Sequence, residues 1–253
     1  LVAALPAAPE GVAILNADEP LVMGMAARTR AQVVTYGLTP DATVWASDVI
    51  GLGLDGIKFQ LHYRNETLHV SVPMLGRHSV HTALRATAVG LVEGQPWQEI
   101  VEGLQSQEAQ SQLRLYAVSG PGGSLILDDS YNASPESTIA ALNLLAEMDA
   151  RRRIAVLGDM LELGAYEDQG HRSVGVRAAD VADVLVTVGE LARTIAAEAA
   201  GQGLPAKRIV QCADRDEAKT VLREMITMGD VVLVKGSRGL RLDRLVMALE
   251  EHD

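Results

Sequence analysis

Asp128, Asp129, Ser130, Tyr131 and Asn132 stand in a row between the apolar run Leu125-Ile126-Leu127 and the triplet Ser134-Pro135-Glu136. The apolar run reads as a short buried strand, and the triplet as N-cap, N1 and N2 of a helix. The polar residues therefore lie at the mouth of a strand. A single Asp in such a place is commonly a turn or cap residue, but this helix already has Ser134 and Pro135. Asp129, Tyr131 and Asn132 are surplus to that need. They supply an acid that can accept from ribose hydroxyls and a flat phenol face for a base or sugar.

Three further clusters have the residue types for chemistry. "GDMLELG", residues 158 to 164, sets Asp159 directly at a strand end, where it is the expected ligand-facing acid, with Glu162 serving the loop. His171 follows in an expected helix, where a lone His is more often a surface or core filler. "VLVKGSRGLRLDRLV", residues 232 to 246, carries Lys235, Ser237 and Arg238 into an expected helix start, whose free N–H groups already favour an anion. Cations at that positive end cost a few tenths to about 1 kcal/mol, so their presence points to a bound carboxylate or phosphate. His78 and His81 stand three apart without an evident acid or cysteine partner, and helix-end packing or hydrogen bonding is expected of them rather than metal binding. The patterns G-x-x-x-x-G-K-[ST], G-x-G-x-x-G after a strand, and G-x-S-x-G do not occur.

The elements that must hold these clusters follow from periodicity. "VAILN" and "QVVTYG" read as buried strands with a helical stretch around residues 19 to 29 between them. "ATVWASDV", "GIKFQLHY" and "ETLHVSV" alternate with turn residues, as in a small antiparallel sheet. Two helices follow, "GRHSVHTALRATAVGLVEG" closed by Gly94, and "PWQEIVEGL" with Pro96 at its start. The polar run at residues 105 to 112 is the expected linker. Beyond it "SLILDD", "RIAVLGD", "VLVTVG", "RIVQCA" and "VVLVKG" are five strand-like runs, each followed by a helical period. That rhythm predicts a parallel sheet covered on both faces, with ligands at the carboxyl ends of its strands.

At 253 residues, 48% of them hydrophobic, the chain can bury a core in one large or two modest domains. Its 22 Lys and Arg against 33 Asp and Glu give a formal charge of -11, which repels a phosphate backbone and argues against nonspecific nucleic-acid binding. A phosphate-bearing ligand must be met locally. The single Cys212 excludes an internal disulfide and a zinc cluster and fits a reducing, cytoplasmic setting. No stretch approaches the roughly eighteen apolar residues of a membrane helix, and "LVAALPAAPEG" lacks the charged and apolar parts of a signal peptide. With no Met at position 1, the chain is expected to begin partway through a larger protein.

At these residues the chain resembles the Mur ligase family, most closely its D-alanyl-D-alanine-adding MurF type. The resemblance runs through "LNADEP", "LGRHSVHTALRATAVG", "LRL" at 113 to 115, "LDDSYNASPES", "LGDMLELG" and "VLVKGSRGLRLD". It implies an α/β chain made of part of a central ATPase domain, residues 1–110, with a mixed sheet, followed by a Rossmann-like C-terminal domain, residues 111–253, with a mostly parallel sheet. The implied reaction joins D-alanyl-D-alanine to UDP-MurNAc-tripeptide with ATP and Mg2+ in peptidoglycan precursor synthesis, on a cytoplasmic monomer. Most metal and phosphate ligands would lie upstream, so the chain alone is expected to be inactive.

By the same resemblance Arg114 and Asp129 contact the nucleotide ribose or phosphates, and Tyr131 and Asn132 line the nucleotide side, where His78 also stands. Lys235, Ser237 and Arg238 serve a peptide or dipeptide carboxylate, Lys235 and Arg238 being the catalytic candidates, and Asp159 shapes the same pocket. The family's H-N-x-x-N is here His78-Ser79-Val80-His81-Thr82, with both asparagines replaced. A non-catalytic module on this scaffold and a sister amino-acid ligase are the alternative readings.

Overall fold

Val, Ile and Leu recur in short runs between turn residues, and in the computed structural model these runs are strands of two separate sheets. Residues 1–106 and 115–250 are described. The chain divides into two compact units, Leu1–Gln110 and Ser111–Asp253. Most of the expected linker, and Arg114 with it, lies outside the described residues.

The first unit contains β1 (Val12–Asn16), α1 (Pro20–Met23), β2 (Gln32–Gly37), β3 (Val44–Gly51), β4 (Ile57–Tyr63), β5 (Glu66–Val72), α2 (Val80–Val92) and α3 (Trp97–Gln105). Its strands lie in the order β1-β2-β3-β4-β5. The first three run parallel and the last three antiparallel. The expected antiparallel trio is thus not a sheet of its own. Tyr36 pairs with Val44 and Gly37 with Trp45, which fuses it to the parallel pair. Alternating inward residues such as Val44, Ala46, Phe59, Leu61, Val70 and Val72 meet Val80, Ala83, Leu84 and Ala88 of α2 in one apolar core. The helix expected over residues 19 to 29 shrinks to α1 and one 3-10 turn at Ala26–Arg28. Neither segment has a buried residue, so no packing offsets the cost of nucleating a longer helix.

The second unit alternates as expected and adds one strand. It contains β6 (Tyr116–Gly120), β7 (Ser124–Asp129), α4 (Pro135–Glu147), β8 (Arg152–Gly158), α5 (Glu167–Val181), β9 (Val184–Val188), α6 (Arg193–Gly201), β10 (Ile209–Cys212), α7 (Arg215–Met225), β11 (Asp230–Lys235) and α8 (Asp243–Leu249). The order is β10-β9-β8-β11-β7-β6, all parallel except β6. The unexpected β6 is a mostly exposed edge strand with no apolar run to announce it; it pairs with β7 across a Pro121–Gly123 turn.

Residues of α7 and α8 pack on Ile126, Ile154, Val156, Val186, Val232 and Val234 at one face. Helices α4 and α6 lie on the other face, against β8, β9 and β11, with α5 between them. Strand β11 is therefore followed by a helix on the face opposite those that follow its neighbours β7 and β8. Its carboxyl end is a topological switch point, where doubly wound sheets leave room for ligands. Among the described residues no helix is long and apolar enough to cross a membrane.

At the opposite edge of this sheet Arg152 clamps the start of β11. Its Nε donates to Asp230 Oδ1 at 2.9 Å, and a second guanidinium nitrogen donates to the Met225 carbonyl at 2.8 Å. The Asp230 carboxylate is fully buried. Burial alone would raise its pKa, but hydrogen bonds from Arg152 and Thr227 outweigh it and leave the carboxyl below its ordinary value. Arg152→Leu is expected to cost about 3 kcal/mol in urea denaturation near neutrality, because it strands a buried carboxylate. A group with a lowered folded pKa stabilises above its unfolded value near 3.8 and loses that contribution as pH falls through the lower folded one, so the deficit should shrink below about pH 4.

Candidate functional site at the carboxyl edge

Strand β7 delivers its polar mouth as the sequence suggests. Ser134 caps α4, its hydroxyl accepting from the Ser137 N–H at 3.2 Å while Ser137 Oγ accepts from the Ser134 N–H at 3.0 Å, and Pro135 takes N1. Asp128 is buried and turns the chain, its Oδ1 accepting from the Ser130 N–H at 2.9 Å. Tyr116 stands opposite Asp128 in the register of β6 and β7, and hydrogen bonding to that carboxylate, burial and the nearby negative charges push the phenol up to about 12.

Asp129 lies opposite Lys235 in the parallel register of β7 and β11. The Lys235 ammonium is only 3% exposed; it donates to Asp129 Oδ2 at 2.6 Å and to the Asn132 carbonyl at 2.9 Å. Above this buried pair Tyr131 is 46% exposed, and the Arg238 guanidinium carbon lies 5.1 Å from the centre of its ring. Asp129, Tyr131, Asn132, Lys235 and Arg238 thus form one cluster, although a hundred residues separate its two segments.

The expected helix start at Lys235 is not there. Arg238–Leu240 is a single 3-10 turn, Arg241 takes a left-handed φ of 53°, and α8 begins only at Asp243 with an acid in its first turn. The chain packs closely where it leaves β11: a Cβ on Gly236 would lie 2.7 Å from Leu242 Cδ1 and 3.1 Å from Gly158 Cα, so only glycine fits there. The Lys235 ammonium instead meets the Asp129 carboxylate.

Asp159 and Ser237 hold the neighbouring loops together. Asp159 Oδ1 accepts from the Ala192 N–H at 2.7 Å, and its carbonyl accepts from the Ser237 N–H at 3.0 Å. Ser237 Oγ, buried, accepts from the Leu161 N–H at 2.8 Å. Gly189 is required beside them: its φ is 105°, and a Cβ there would fall 2.4 Å from Asp159 Oδ2. Asp159 also lines a cleft of about 380 Å³ with Gly189, Glu190, Asp214, Arg215 and Leu240, at the ends of β8, β9 and β10. His171 is a core residue, 1% exposed, with Nε2 accepting from the Met160 N–H and Nδ1 bonded to the Glu167 carbonyl.

His78 and His81 belong to the first unit. The His78 ring lies over Gly76, and His81 Nε2 is 2.8 Å from Asp18 Oδ2. Asp18 also takes the Leu38 N–H on both oxygens. This partner for His81 comes from "LNADEP", and neither sequence spacing nor helical period links the two. Tyr116 at the second unit's edge was equally hidden, for it enters on the unexpected strand β6. Among the described residues no group of three or more His, Cys, Asp or Glu is arranged to hold a metal ion.

A doubly wound, mostly parallel sheet with a polar cluster at its switch point is an α/β domain, here preceded by a mixed-sheet unit. Residues 4–90 match the model of the Mur ligase middle domain, and residues 113–238 that of the Mur ligase glutamate ligase domain. The chain belongs to the Mur ligase family. It is 36% identical over 264 residues to the UDP-N-acetylmuramoyl-tripeptide--D-alanyl-D-alanine ligase of Mycobacterium tuberculosis (strain CDC 1551 / Oshkosh), covering 96% of this chain and 51% of that one. Against the enzyme of the same name from Escherichia coli (strain K12) the identity is 33%, covering 96% and 52%.

A crystal structure of MurF from Acinetobacter baumannii superposes with a TM-score of 0.78 at 28% identity, over 95% of this chain and 52% of that one. The MurF ligase from Thermotoga maritima in complex with ADP has the same fold, with a TM-score of 0.76 at 22% identity over 94% and 53%. The chain spans about half the length of the relatives it matches.

Substitutions at Ser237, Tyr116 and Asp128 test this geometry. Ser237→Ala removes the acceptor for the Leu161 N–H and should cost about 1–2 kcal/mol by thermal or urea unfolding. In ultraviolet difference titration against Tyr116→Phe, the Tyr116 phenol should ionise near the expected value of about 12. Asp128→Asn should bring it back toward about 10.

Proposed function

We propose that this chain is part of an ATP-dependent MurF-type ligase of peptidoglycan synthesis, residues 1–110 forming the later part of its central domain and 111–253 its C-terminal domain. One observation carries the reading: the segments 128–132 and 235–238, far apart in sequence, meet at adjacent strand ends inside the stretch that matches a Mur ligase domain. In the whole enzyme the terminal carboxylate of UDP-MurNAc-tripeptide takes a phosphoryl group from ATP, releasing ADP. The amine of D-alanyl-D-alanine then attacks the acyl carbon, and phosphate leaves as the peptide bond forms.

The residues of the second unit fit the sugar and base end of a nucleotide better than its phosphates. An acid, a phenol and an amide follow one another on a single loop, and Tyr131 is exposed. Arg238, exposed beside them, is the group suited to a carboxylate or a phosphoryl oxygen, because its planar fork can bind two oxygens at once. Asp159 and Ser237 act on the ligand by shaping the loops around it. Among the described residues no three metal-binding side chains are grouped, so the second unit's residues do not make a Mg2+ site by themselves.

ADP titrated into the 253-residue chain should perturb the amides of residues 129–132 in NMR spectra, and Arg238→Ala or Tyr131→Ala should weaken binding roughly tenfold. Absence of any perturbation at millimolar ADP would overturn the nucleotide reading. With ATP, UDP-MurNAc-tripeptide and D-alanyl-D-alanine present, the chain alone should release no phosphate above background. Substrate-dependent release would show that the chain is itself a complete ligase.

A further inference from the structure

We propose that Lys235 is a positioning residue, whose buried ammonium sets the shape of the 129–132 loop so that Tyr131, Asn132 and Arg238 are held ready for the ligand. Three observations support this. First, Lys235 is buried, at 3% exposure, and among the described residues its two hydrogen-bond partners are both on that loop. One of them, the Asn132 carbonyl, carries no formal charge and varies only with the path of the backbone. An ammonium bound to a carbonyl and a carboxylate three residues apart measures the loop's conformation, not merely its charge.

Second, an ion pair is a costly way to fill this place. Leu233 and Leu127 precede the pair on the same strands, and an apolar side chain in place of both charges would pack at least as favourably. What an apolar residue lacks is direction. The ammonium's donors point at fixed acceptors, whereas a methyl group would leave the loop free to slide.

Third, the same two segments are joined a second time on the solvent side, where the Arg238 guanidinium lies 5.1 Å from the Tyr131 ring centre. The exposed contact is weak by itself and depends on the buried one to bring its partners into range. The pair thus organises the loop before a ligand arrives and lowers the ordering cost of binding.

The ligand half of this inference rests on the nucleotide reading above; the ordering half does not. The test uses the full 253-residue chain with Lys235→Met and, in case the stranded carboxylate prevents folding, the neutral pair Lys235→Met/Asp129→Asn. Backbone hydrogen exchange at Ser130, Tyr131, Asn132 and Ala133 should accelerate at least about tenfold in both variants, while Ala155 and Val186 in the sheet change less than about twofold. The neutral pair should keep its thermal midpoint within about 3 °C of the parent. In Lys235→Met, or in the neutral pair should that variant not fold, ADP affinity should fall about tenfold, since the loop must be ordered anew on binding.

Unchanged exchange at 130–133 in the neutral pair would overturn the proposal, and so would a loosened loop with unchanged ADP affinity. A parent chain that binds no ADP overturns the nucleotide reading, and the exchange comparison then decides the ordering role by itself.

Discussion

Strand β11 enters the six-stranded sheet between β7 and β8, and the site depends on that insertion. It brings Lys235 opposite Asp129 across 106 residues of chain, in a register that turns both side chains to the same face. It also makes the helix after β11 leave on the face opposite to α4 and α5, so the strand end is not roofed by its own continuation. Without this order the two polar segments would be separate loops, each with an unpaired charge next to an apolar core. With it, the charges meet, and the cost of burying them is offset by a short and doubly satisfied contact.

Much of the polar inventory at this edge is used to hold backbone. Asp128 turns the chain into Ser130, Asp159 joins the ends of β8, β9 and β11, Ser237 secures Leu161, and His171 secures Met160. Loops that run over a sheet edge lose water from their N–H groups, and each buried donor needs an acceptor nearby. Among the side chains that remain turned outward are Tyr131, Asn132 and Arg238. In a chain with a formal charge of -11, Arg238 places an exposed positive charge over the exposed Tyr131 ring.

The strands and helices of the second unit were legible because each is a local signal. Branched apolar runs made β7 to β11, and Ser134-Pro135 fixed the start of α4 at the residue expected. The errors fell where the deciding contact is distant. β6 exists because β7 offers it an edge; α1 is short and fully buries no residue; β2 and β3 join the parallel and antiparallel strands through two residue pairs. Lys235 looked like a cation at a helix start because spacing did not show that a 3-10 turn and a left-handed Arg241 come before α8 begins at Asp243.

From the residues alone came the alternation of strand and helix, the loops at which polar chemistry collects, and the resemblance that named the family, since each of these is written in neighbouring positions. The tertiary structure decided which of those polar side chains face one another and which face water. Burial and partner choice depend on strand order and on the faces the connecting helices take, and these are settled by long-range pairing that no local pattern encodes. Asp129 and Lys235 were both visible as candidates. That they are candidates for each other became apparent only when β11 lay beside β7.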